Sequence, residues 1–348
     1  MSKFTKFAGA LAALVMANGA AAQSNLTAET ASPLAVPGVT VLGLGEVAQA
    51  AGVANIQVAT GQTLTNSLQN VAEGSTDIAA APFLLAFLMS KGLGPYAALG
   101  AEKGAELASN LSVLYTYRFG TYTLSAFESS GFSGWDAIEG ATIYNGPPRG
   151  AALNRARASI KLATGLDDGD GYTGIQVNWG QAVRTITEGA ADAQILPTNF
   201  PDGRLSQAAA AGSIVAFSMP KAAYESEGVQ KYIKAPGTAG VSIPLEQGMF
   251  GPNITIKSED DTFRGIAEVG GEVVSTTMDE ELAYQLTKSL IEGLDDIRAK
   301  TPMMNASWLG ETDLAFTGMC GAVPVKYHPG AVRAWEEAGY TLPDCAKP

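Results

Sequence analysis

The chain has 348 residues, 46% hydrophobic and 16% charged, which is enough for two domains of ordinary size and too apolar for a disordered chain. Lys and Arg number 22 against 34 Asp and Glu, a formal net charge of −12. A surface this acidic repels phosphate backbones, so no nucleic-acid partner is expected, and an anionic ligand would have to be met by positive groups gathered locally.

The chain opens with Lys3 and Lys6, an apolar run from Phe7 to Met16, and the small residues Ala20, Ala21 and Ala22 before Gln23. This is the three-part layout of a secretory signal peptide, residues 1–22, and the mature protein is expected in the periplasm. The apolar run is shorter than the roughly 20 residues that span a bilayer, and no later run reads as a membrane helix. No cysteine stands at the cleavage point to carry a lipid.

Gly43-x-Gly45-x-x-Ala48 follows Val39 to Leu42, on paper a dinucleotide-binding fingerprint. The acidic residue expected about 20 positions on is missing, because that stretch is Gly61 to Thr65. The glycines are better read as close helix packing, and no cofactor is expected. Next comes a strand over Val53 to Ala59, a polar turn Thr60-Gly61-Gln62-Thr63, and a helix with Leu64, Leu68 and Val71 on one face. Glu73-Gly74 ends that helix and Asp77 opens another strand. The second half repeats the order: Ile175 to Asn178 as a strand, Trp179-Gly180, Val183 and Ile186 on a helix, Glu188-Gly189, then a strand from Asp192 to Leu196. Two βαβ units with a shared Glu-Gly-x-x-Asp exit predict two similar α/β lobes.

Between them lie a strand Ala141 to Tyr144, a Gly/Pro turn Asn145 to Gly150, and a helix to about Leu162 that ends near Gly165. Pro220 to Asp261 shows no regular pattern. Thr277-x-x-Glu280 reads as a capping box before a stripe of Leu282, Leu286, Leu290, Leu294 and Ile297, with Pro302 beyond it. A last helix starts at Pro329 and runs toward Gly339.

Chemistry is sparse. His328 is the sole histidine, there is no Gly-x-Ser-x-Gly elbow, and a zinc site needs three or four N or S ligands, so neither a metal nor catalysis is expected. His328 reads as a cap for the last helix. Cys320 and Cys345 would pair in an oxidising compartment, closing a loop of about 25 residues worth roughly 3 kcal/mol. The binding candidates are strand-to-helix turns, where free backbone N–H groups and the helix dipole favour carboxylates. They are Thr60, Gly61, Gln62 and Thr63; Gly146, Arg149 and Gly150, with Tyr144 just before them; and Trp179 and Gln181. Tyr115 and Arg118 close the strand Leu111 to Arg118, and Arg149 can grip a carboxylate in bidentate fashion.

These residues resemble the TAXI family of TRAP-transporter solute receptors. Thr60-Gly61 through Asn66-Ser67-Leu68 is similar to the family's Thr-Gly-Gly-Ser-x-x-Asn stretch, and Glu73-Gly74-x-x-Asp77 to its Gly-x-x-Asp strand entry. Gly146-Pro147-Pro148-Arg149-Gly150 with Asn154 and Ala156 resembles its Gly-x-x-Gly-Ser-Gly-Thr segment. Tyr284-x-x-Thr287-Lys288 with Leu294-Asp295 resembles its late helix, and Tyr327-His328-Pro329-Gly330-Ala331 its C-terminal Leu-His-Pro-Gly-Ala helix. The likeness spans nearly the whole mature chain. The family's opening Gly-Thr-Gly-Gly-Thr-Tyr-Tyr loop is not recognisable; Ser32-Pro33 to Val41 stands in its place and makes Ser32 a candidate. Gln62 replaces a Gly, and Arg149 stands where small residues are usual.

The resemblance implies an α/β, two-lobed periplasmic binding protein of type II-like form, with a hinge and an interlobe ligand cleft. Lobe I would comprise residues 23–120 plus 262–348 and lobe II residues 121–261. It implies a non-enzymatic, monomeric receptor for a small carboxylate, glutamate-like or another organic acid, that serves TRAP membrane subunits. An ABC-type receptor and a secreted hydrolase are the alternatives.

Overall fold

The computed structural model describes residues 23–246, 250–300 and 322–348, with isolated positions from 304 to 320. The segment read as a signal peptide and Pro302 lie outside the described residues.

In the first lobe, β1 (Ser24–Glu29), α1 (Val36–Ala50), β2 (Ala54–Ala59), α2 (Leu64–Ala72) and β3 (Ile78–Pro82) wind a parallel sheet of order β2-β1-β3. Phe83–Ser109 has the length and hydropathy of a membrane span. The backbone divides it into α3 (Phe83–Lys91), a 3₁₀ turn Gly94–Leu99 and α4 (Gly100–Ser109), each too short to cross a bilayer. Then β4 (Leu111–Phe127) runs into the second lobe. There β5 (Thr142–Tyr144), α5 (Ala151–Thr164), β6 (Thr173–Ile175), α6 (Ala182–Thr187) and β7 (Ala193–Thr198) wind a second parallel sheet, β6-β5-β7. The two lobes therefore share one topology.

The repeated Glu-Gly-x-x-Asp has a physical reason. Asp77 Oδ2 accepts the Thr27 N–H at 2.7 Å, and Asp192 Oδ2 accepts the Thr142 N–H at 2.7 Å, each spanning 50 residues. In both lobes a carboxylate before the third strand receives the edge amide of the first, a charge-assisted bond that pins the central pair.

After β7 come α7 (Gly203–Ala209), β8 (Ile214–Phe217), two short helices α8 (Lys221–Tyr224) and α9 (Glu227–Tyr232), β9 (Thr238–Pro244), β10 (Ile254–Lys257) and β11 (Thr262–Ser275). Strands β4 and β11 are antiparallel and serve both lobes. Residues 111–118 of β4 pair with 269–275 of β11 and 120–122 with 266–268; on their other edges 121–127 of β4 pair with β7 and β8, and 262–268 of β11 with β9. The change of partners falls at Gly120, opposite Glu268, where the register shifts. Gly120 has φ 149, and a Cβ there would lie 2.8 Å from the Pro197 carbonyl carbon, so this crossing needs glycine.

Several elements differ from the sequence reading. The glycines at 43 and 45 are not among them: both lie in α1, and Gly43 packs closely as read, since a Cβ there would meet Ile297 Cγ1 at 3.1 Å. The strand expected at Ile175 to Asn178 ends at Ile175, and Trp179–Gln181 forms a 3₁₀ turn before α6. Thr277 does not cap the late helix: Asp279 does, accepting the Leu282 N–H at 2.9 Å, and Thr277 pairs with Ser275 instead. The leucine stripe is two helices, α10 (Glu280–Glu292) and α11 (Leu294–Lys300), parted at Gly293, where a Cβ would meet Val47. The last helix (Pro329–Glu337) starts as read. His328 Nδ1 accepts the Gly330 N–H at 3.3 Å and Nε2 lies 3.1 Å from the Met278 carbonyl. Cys320 and Cys345 are bonded, with Cα atoms 5.4 Å apart.

Candidate functional site

A cleft of about 370 Å³ opens where the carboxyl ends of both parallel sheets face each other. Open α/β sheets bind ligands in this position. The first lobe contributes the β1–α1 turn (Ala31, Ser32, Ala35, Pro37), the β2–α2 turn (Gly61 to Thr65), and Pro82 with Leu85 after β3. The second contributes Pro147 and Arg149 to Ala152 from the β5–α5 turn, Asn178 to Gly180, Pro197 and Arg204. Phe119 and Glu268 come from the crossing strands. The lobes approach closely at two points: a Cβ on Gly150 would be 3.4 Å from Thr65 Oγ1, and one on Gly203 would be 2.7 Å from the Leu34 carbonyl oxygen.

The wall is positive by construction. Helices α1, α2 and α5 begin at Ala35, Thr63 and Gly150, and no side chain caps them. None has an acidic residue in its first turn. Elsewhere helix starts are mixed: Asp202, Ser226, Asp279 and His328 close theirs with their own side chains, while α3, α4, α6 and α8 also lack such a cap. Three helix dipoles thus meet one cavity, although α1 adds few free donors, since Pro37 has no N–H and the Gly38 N–H is bonded to the Ala35 carbonyl at 2.9 Å. Arg149 is exposed and makes no hydrogen bond or ion pair among the described residues.

Of the residues singled out from sequence, Ser32, Gly61, Gln62, Thr63, Arg149, Gly150 and Trp179 line this cleft together. The others lie elsewhere. Thr60 is exposed just before the turn, its carbonyl accepting the Gln62 amide at 3.2 Å. Gly146 supplies a positive φ of 104 to its turn, and its carbonyl accepts the Val177 N–H at 3.1 Å. Gln181 is exposed at the end of the 3₁₀ turn. Tyr144 is buried, donating to the Val177 carbonyl at 3.4 Å. Arg118 is buried in β4. Tyr115 is wholly enclosed by the first lobe, its hydroxyl 3.2 Å from Glu272 Oε1.

Two charged residues at the site escaped the sequence reading. Arg204 is buried at the start of α7, its guanidinium carbon 5.1 Å from the Trp179 ring centroid, with Nη2 donating to the Pro197 carbonyl and lying 3.5 Å from Asp202. The Asp202-Gly203 helix start, with Asp202 accepting from the N–H groups of Arg204 and Leu205, was the available signal. Among the described residues, Glu268 is the one acidic side chain on the cleft wall. It is 3% exposed, its Oε2 accepts the Tyr122 hydroxyl at 3.3 Å, and Oε1 lies 3.9 Å from Arg155 Nε. Burial pushes its carboxyl up to about 7 against the pull of Arg155. An acid in the apolar run Phe263 to Val274 was the signal for it.

A family model described as NMT1-like matches residues 36–339, and the chain belongs to this NMT1-like family. No curated protein matches it by sequence. Among solved structures, a protein from Bordetella bronchiseptica RB50 shares the fold at a TM-score of 0.55 and 15% identity, over 91% of this chain and 99% of that one. The alkanesulfonate-binding protein SsuA from Xanthomonas axonopodis pv. citri, bound to MOPS, aligns at 0.45 and 13% identity over 83% and 87%. A TRAP periplasmic solute-binding protein from Sulfitobacter sp. NAS-14.1 with β-D-galacturonate aligns at 0.45 and 10% over 79% and 81%.

Proposed function

We propose that this NMT1-like chain is a periplasmic solute-binding receptor that holds a small carboxylate between its lobes and presents it to TRAP-type membrane subunits, as the TAXI-like motifs imply. The observation that carries the ligand class is the convergence of three uncapped helix N-termini and the unpaired Arg149 on one interlobe cleft. On a protein of net charge −12, such a focus of positive potential serves an anion. The apolar remainder of the wall, including Leu64, Leu85, Phe119 and the prolines, suits a carbon skeleton.

On this reading the lobes divide at Gly120 in β4 and at Glu268 in β11, so that residues 262–268 go with the second lobe. Both crossings are single strands, and closure about them would be favoured by a solute that touches both lobes at once. His328 is committed to its helix cap and to Met278, which leaves the cleft without a histidine. The reading is therefore of a receptor that returns its solute unchanged.

The test is mass spectrometry of what the periplasmic protein releases on mild denaturation, followed by titration calorimetry with that compound. A small carboxylate is expected, and Arg149→Ala should weaken its binding at least tenfold, about 1.4 kcal/mol, with the ligand-free melting temperature unchanged. Arg149→Lys should restore only part, since a point charge lacks the planar fork. Release of a compound without a carboxylate would refute the reading.

A further inference from the structure

Glu268 stands out in the cleft because its surroundings are unfinished. A carboxylate can accept about four hydrogen bonds. Glu268 takes one, from Tyr122 at 3.3 Å, while Oε1 has no partner although the side chain is 4% exposed. The nearest cation does not complete it. Arg155 is held from the other side, with Nη2 donating to the Pro236 and Gly237 carbonyls at 3.0 Å each, Nη1 donating to Thr238 Oγ1, and the Tyr232 ring 5.4 Å from its guanidinium carbon. If Nε did close its 3.9 Å gap to Oε1, the carboxylate would still have half its acceptor capacity unused.

Such a group in a sealed core would be a plain cost. Here it forms part of the wall of a cavity whose other charged side chains among the described residues are the donors Arg149 and Arg204, beside amides and hydroxyls that can either donate or accept. A carboxylate solute satisfies those donors and leaves Glu268 unmatched. A solute bearing a second, donating group satisfies both sides.

We propose that Glu268 accepts a hydrogen bond from the bound solute, and that the receptor therefore prefers carboxylates that also carry an ammonium or hydroxyl group. This rests on the reading of the cleft as a carboxylate site and narrows its ligand class. The raised carboxyl of Glu268 fits, since a donor in the cleft is what its charged form lacks.

Calorimetry with matched trios sharing one skeleton tests it: propionate, lactate and alanine; isocaproate, leucic acid and leucine; hydrocinnamate, phenyllactate and phenylalanine. In at least one trio, the hydroxy or amino member should bind at least tenfold tighter than the plain acid. Glu268→Ala should abolish that preference. Glu268→Gln, which preserves volume and an acceptor oxygen, should keep a preference for the hydroxy acid and lose one for the amino acid, separating the two donor types. Plain acids that bind as well as their counterparts, or a preference that survives Glu268→Ala, would overturn the proposal while leaving the carboxylate receptor intact. If no member of any trio binds, the carboxylate reading fails and this one with it. The ligand-free unfolding midpoint of Glu268→Gln confirms that the variant is folded.

Discussion

Strand β11 carries two buried glutamates four residues apart, and they live in different worlds. Glu272 lies within the first lobe, where Oε1 gathers Thr40 Oγ1 at 2.6 Å and the Tyr115 and Tyr117 hydroxyls at 3.2 Å each. Among the described residues no cation pairs with it, and burial pushes its carboxyl up to about 8. It joins α1 to both crossing strands. Glu268 sits at the lobe crossing with one hydroxyl donor and an arginine at 3.9 Å, on the wall of the cleft. Both leave one oxygen without a hydrogen-bond partner, but of the two residues only Glu268 lines a space a solute can enter. Equal burial on one strand thus yields a structural acid in one place and a receptive one in the other. What separates them is how many donors the protein itself supplies.

The largest expected effect concerns charge. Arg155→Met would strand Glu268 without its cation and remove donors from Thr238, Pro236 and Gly237. Losing one member of a buried pair costs about 3–5 kcal/mol. Urea unfolding at neutral pH should show a loss of that order, and adding Glu268→Gln should return part of it by removing the stranded charge. A loss below about 1 kcal/mol, the range of exposed ion pairs, would mean that Glu268 owes nothing to Arg155.

The second effect is pH. The Glu272 carboxyl is raised from 4.5 to about 8 in the folded state. Between those values the folded chain holds a proton that the unfolded chain has released, so stability is full below pH 4.5 and is lost as pH rises through about 8. The loss is on the order of a few kcal/mol. Glu272→Gln keeps an oxygen for the three donors and cannot ionise. It should flatten this fall, being slightly less stable than wild type in mild acid and more stable in mild alkali. Equal pH slopes in the two proteins would show that Glu272 is charged in the fold.

How much of this the sequence discloses depends on periodicity and on caps. The paired βαβ units were legible because each has a glycine helix stop and an aspartate with a fixed task, and His328 because it precedes Pro329 at a helix start. Strand β1 was not, since SNLTAE is short and polar and becomes a strand only between β2 and β3. The turns on the cleft were found by their Gly, Pro and Arg residues. Tyr115 was misplaced because alternation along a strand says which residues share a face and not which face is wet. Tyr115, Tyr117 and Glu272 face into the first lobe, and the cleft begins only at Phe119, whose ring stacks on Tyr117 at 4.8 Å. The acid at 268 gains meaning from Gly120 opposite it, a pairing across nearly 150 residues that no local pattern carries.

The smallest effects divide the two glutamates most cleanly. Tyr117→Phe removes one of three hydroxyl donors from Glu272, and Tyr122→Phe removes the single hydroxyl from Glu268. Each change deletes one oxygen atom in a buried place and should cost about 1 kcal/mol of stability, because a net hydrogen bond is worth about that much. Stability alone would therefore not tell them apart. Affinity would. Tyr117 shares Glu272 with two other donors behind the first-lobe wall, so its loss should leave binding of a hydroxy or amino acid unchanged. Without Tyr122, Glu268 has only the solute and Arg155 to turn to, and its carboxyl should rotate or take up a proton. Binding of the donor-bearing acids should then shift severalfold, while binding of the plain acids stays constant. Calorimetry on the two variants with leucic acid and isocaproate reads this directly. If both variants bind both acids as wild type does, the two glutamates are structural alike.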